Sequence, residues 1–71
     1  MYAQETGTVV AELANVYYSA STRAKEASDR SQDTQFPMME RVRLRRKAME
    51  LQELADQALR MINELTVDVA A

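Results

Sequence analysis

Cysteine, histidine and tryptophan are absent from this 71-residue chain, and glycine and proline occur once each. Without cysteine there is no disulfide and no thiolate metal ligand, and without histidine the usual neutral-pH proton shuttle and the other common zinc ligand are gone. One glycine and one proline supply too little turn chemistry for a fold of short strands. No apolar run exceeds three residues, so no segment is long enough to span a bilayer. The first ten residues, MYAQETGTVV, carry an acid at Glu5 and no basic residue ahead of an apolar stretch, which is not the pattern of a secretory signal. Glycine-rich phosphate loops and nucleophile elbows are missing too. These absences lead to the expectation of a non-enzymatic cytoplasmic protein with no cofactor, no metal and no small-molecule substrate.

What is present is helix-forming. Nine basic and eleven acidic residues give a formal charge of −2, too small and too dispersed to imply a general affinity for nucleic acid. From Pro37 to Val67 there is no glycine and no internal proline, and Leu44, Ala48, Leu51, Ala55, Ala58, Ile62 and Leu65 alternate at spacings of four and three. That spacing aligns them as one stripe on an α-helix. A matching stripe, Ala3, Thr6, Val10, Leu13, Tyr17, Ala20, Ala24 and Ala27, runs through the first half. The polar interval Ser31–Phe36 separates the two, and Pro37 biases Phe36 away from helical angles while preorganising the turn that follows. Glu40 then lies where a helix dipole favours negative charge. The spacing predicts an all-α, antiparallel two-helix hairpin, with helices over about 4–31 and 37–67 and a turn at 32–36. Gly7 weakens the first turn, so a start at Thr6 or Thr8 is an alternative.

Folding the halves back on each other pairs positions whose numbers sum to 71 or 72: Ala27 with Leu44, Ala24 with Ala48, Ala20 with Leu51, Tyr17 with Ala55, Leu13 with Ala58, Val10 with Ile62, and Thr6 with Leu65. Large residues mostly oppose small ones, as close helix packing requires. A second apolar set lies outside this seam: Met38, Met39, Val42, Met49, Leu54, Leu59 and Met61 in the second half, with Val9, Val16 and Tyr18 in the first. Tyr17 and Tyr18, being adjacent, divide between seam and flank. Exposed contiguous apolar surface marks interaction sites, and methionine suits an adaptable one. Tyr18, Met38, Met39, Val42, Met49, Leu54 and Met61 are therefore expected to form a flank that binds a helical partner or a second copy of the chain, completing a bundle. A single core in so short a chain barely offsets the order of 100 kcal/mol of ordering cost, which also favours association.

Charged features admit competing readings. Arg41, Arg43, Arg45, Arg46 and Lys47 could meet phosphates, making a small dimeric nucleic-acid-binding regulator, or an acidic protein surface. Helical geometry spreads these five around the axis, and Glu40 and Glu50 lie close enough to compensate. Glu50, Glu53, Asp56 and Glu64 resemble a carboxylate ladder but fall on the polar side and lack histidine partners, so a metal site is not expected.

The turn residues DTQF (Asp33 to Phe36) and the segment LQELADQALRMINEL (Leu51 to Leu65) make the layout resemble the small co-chaperones of type III secretion needle subunits. The resemblance implies a bacterial helical hairpin that joins a second chaperone and keeps a polymerising subunit soluble in the cytoplasm. In that case Leu51–Leu65 would be the docking segment.

Overall fold

A computed structural model of the chain describes the backbone of residues 2–70 and the side chains of residues 7–67. Two helices, α1 (Tyr2–Ser31) and α2 (Met38–Ala70), pack against each other as an all-α hairpin. The molecule measures 52 × 15 × 12 Å. A helix of 33 residues rises about 50 Å, so the long dimension is that of one helix and the two lie side by side along their whole length. Both run slightly beyond the predicted outer boundaries, and α1 passes through Gly7 without interruption. A Cβ added at Gly7 would meet nothing within 4 Å, so the glycine meets no steric need there. Ala3 and Thr6, assigned to the seam from sequence, lie outside the residues with described side chains, as does the Thr6–Leu65 pairing.

The turn is built from its own polar atoms. Gln32 N donates to Asp29 O at 3.2 Å and Asp33 N to Arg30 O at 3.1 Å, which tightens the end of α1 into shorter-range bonds. Gln35 N donates to Asp33 Oδ1 at 2.9 Å, and Phe36 N to Asp33 O at 3.2 Å, so Asp33 folds the loop with both its side chain and its carbonyl. The carbonyl of Pro37 accepts from Arg41 N at 3.0 Å, making Pro37 the cap residue just outside α2. Sequence had placed Pro37 inside the helix, a difference of one position.

The seam is made of small residues. Ala20, Ala24, Ala27, Ala48, Ala55 and Ala58 are buried, with Ala55 at 0% exposure, and Ser31 extends the row one turn further. Its hydroxyl donates to Ser28 O at 2.6 Å, so its burial leaves no orphaned polar group. The larger members of the stripe, Val10, Leu13, Tyr17, Leu44, Leu51, Ile62 and Leu65, are half-buried along its edges. Among the described residues no large side chain is fully buried. Alanine lets the backbones approach closely but removes little apolar area from water, at about 25 cal/mol per Å².

One side chain ties the two helices together across the turn. Arg41, half-buried, donates from Nε to the carbonyl of Ser31 at 3.0 Å. A guanidinium at the C-terminal end of α1 satisfies one of its free carbonyls and sits where the helix dipole favours positive charge.

Candidate partner-binding faces

Helical periodicity decides where the exposed apolar residues go. Val9, Val16, Tyr18, Met38, Met39, Val42, Met49, Leu54, Leu59 and Met61 are all exposed, together with Val67. They do not form the single flank expected from sequence. Met49 and Leu54 are five residues apart, which at roughly 100° per residue turns them about 140° from each other. The grooves on the molecule confirm the separation. Leu54 lines a groove with Val16, Ala20, Arg23 and Leu51, whereas Met49 lines one with Ser21, Ala24, Ser28, Ala48 and Gln52. These are opposite sides of the seam, and a single helix cannot cover both.

The first side, here the valine face, pairs Val16 with Leu54 across the seam. Val9 and Met61 lie seven residues from these two, in the same stripe two turns on. Leu54 is 47% and Met61 51% exposed, so each keeps about half its area in water. Toward the turn the same face changes character. Arg23, Arg30 and Lys47 line one groove there with Leu44 and Leu51, and Arg30 and Arg43 line the next with Phe36. Glu26 and Glu40 border these grooves as well.

The second side, the serine face, is small and polar near the seam, with Ser21, Ser28 and Gln52 beside Lys25, Asp29 and Arg45. On the outward surface of α2, Val42 and Met49 form an isolated apolar strip among Arg45, Arg46, Glu50, Glu53, Asp56 and Arg60. Asp56 accepts from Gln52 Nε2 at 3.1 Å. No group of three acidic residues among the described residues is disposed to hold a metal ion. Met38 and Met39 project from the first turn of α2, and Tyr18 stands 68% exposed with its ring edge-on to Tyr17 at 5.5 Å.

The basic run is likewise divided. Arg41 is committed to the end of α1, Arg43 and Lys47 to the valine face, Arg45 to the serine face, and Arg46 to the outward surface of α2. The five therefore present no common strip to a phosphate backbone. Sequence reading missed both the capping role of Arg41 and the convergence of Arg23 and Arg30 with Lys47. The first was signalled by its place four residues after the proline that starts α2. The second needed the pairing of the helices, since Arg23 and Lys47 are far apart in the chain.

No helix among the described residues is long and apolar enough to cross a membrane. The chain matches no protein-family model, no curated protein and no solved structure.

Proposed function

We propose that this hairpin is a protein-protein interaction module whose exposed apolar residues are covered by a helical partner or by a second copy of itself. One observation carries the reading: the accessible surface is 5881 Å², against about 4,500 Å² for a compact protein of 8.1 kDa. The excess, about 1,400 Å², exceeds the share that one partner contributes to an interface of ordinary size, about 800 Å². Its radius of gyration, 16.0 Å, against about 11 Å for a compact chain of this length, reflects the same elongation. A seam of alanines makes the hairpin narrow, and its larger side chains are left to be buried by something else. The likeness of Leu51–Leu65 to needle-subunit co-chaperones supplies a specific form of this reading, in which the hairpin acts beside a second chaperone.

The test is the solution mass of the purified full chain over about a hundredfold range of concentration, with and without the protein that co-purifies from its native source. A mass above 8.1 kDa that falls on dilution, or a stoichiometric complex, is the expected result. A folded monomer throughout, with no complex, would refute it.

A further inference from the structure

Resting on the interaction reading, we infer that the valine face takes one amphipathic helix of a different protein, apolar over one half and acidic over the other. The face is polarised along its length. At the open end of the hairpin it offers Val9, Val16, Leu54 and Met61, and at the turn end Arg23, Arg30, Arg43 and Lys47. Glu26 and Glu40 border the basic half, as does Glu50, seven residues from Arg43, which leaves one positive charge in excess in a chain whose total is −2. The groove of the serine face near the turn holds fewer basic side chains, Lys25 and Arg45, and sets Asp29 among them.

Charge also rules against a second copy of the chain on this face. A two-fold axis along the hairpin would set the two basic halves against each other, and one across it would lay the basic half of one copy on the apolar half of the other. Neither arrangement satisfies both halves. A third helix running in the groove between α1 and α2 satisfies both, placing leucine-like side chains against Val16 and Leu54 and carboxylates near Arg23 and Lys47. From Val9 to Arg30 the groove spans roughly 32 Å, the length of a partner helix of about 21 residues.

The experiment uses the full chain and two synthetic peptides of about 21 residues, read by fluorescence anisotropy. Each peptide carries leucines at helical spacing in one half; the other half bears glutamates in one peptide and lysines in its twin. The glutamate peptide is expected to bind at least about tenfold more tightly than the lysine peptide at about 50 mM salt, and less so at 200 mM. Arg23→Glu with Lys47→Glu should invert the preference, and Leu54→Glu should weaken both peptides at least about tenfold. Leu54 is 47% exposed, so circular dichroism should show that variant folded. Equal binding of the two peptides, or a preference indifferent to Arg23→Glu with Lys47→Glu, overturns the inference. So does duplex DNA bound through Arg23 and Lys47 with no effect of Leu54→Glu, or a dimer of the chain that Leu54→Glu dissolves and the peptide cannot displace. If neither peptide binds but Met49→Glu breaks an association of the chain, the face is wrong and the interaction reading stands. A chain that stays monomeric and binds neither peptide removes both.

Discussion

The turn end and the open end of the hairpin are held together in different ways. Near the turn the seam is closed by Ala20, Ala24, Ala27, Ser31 and Ala48, all buried, and is fastened by Arg41 on the carbonyl of Ser31. Toward the open end Ala58 is still buried, but the seam residues around and beyond it, Val10, Leu13, Ile62 and Leu65, are only half-buried. Pairs with at least one small member, such as Ala24 with Ala48 or Ala20 with Leu51, can be sealed by two helices alone. Large ones extend past the edges of a two-helix contact and need a third surface, so bulk at the open end becomes exposed apolar area rather than core. Tight closure is thereby strongest near the turn, and exposed apolar bulk lies further along the rod.

This contrast is open to attack by substitution, and the largest effect is expected where packing is tightest. Ala24→Leu near the turn should cost about 2 to 3 kcal/mol, because the residue is buried where the two helices face each other, and thermal unfolding should show the loss. Leu65→Ala at the open end should cost about 1 kcal/mol or less in the isolated chain, since its side chain is only half-buried; an equal loss at the two positions would abolish the distinction. Arg41→Ala should cost about 1 to 2 kcal/mol by removing a charge-assisted bond to a helix end, whereas Arg46→Ala, on the outward surface of α2, should leave the urea midpoint nearly unchanged. Gly7→Ala should raise stability by about 0.5 to 1 kcal/mol, since the helix continues through that position with open space beside it. Leu54→Glu should cost no more than about 1 kcal/mol in folding, since half of the side chain is already in water, while removing partner binding; a larger stability loss would mean that Leu54 belongs to the core.

Much of the hairpin was legible from residue order. Every described residue assigned to the seam is buried or half-buried, because a three-four repeat defines one stripe whatever the partner. The exposed set was legible for the same reason, as the residues left over. Its arrangement was not. Treating Met49 and Leu54 as one flank ignored the 140° or so that five helical residues put between them, and the seam runs between the two. Ser31 was overlooked because a polar residue at the edge of a turn looks like a cap, yet it continues the stripe four residues beyond Ala27 and is buried against the hairpin.

By itself the sequence determined two helices, the break at Pro37 and the identity of the stripes that meet, because those follow from local backbone preference and a fixed helical period. Only the tertiary structure decided which side of α1 lies beside which side of α2, which arginine is used to hold the helices together, and that Arg23, Arg30, Arg43 and Lys47 gather on one face. Those outcomes depend on how one helix is laid against another, and no periodicity within a single helix contains that relation.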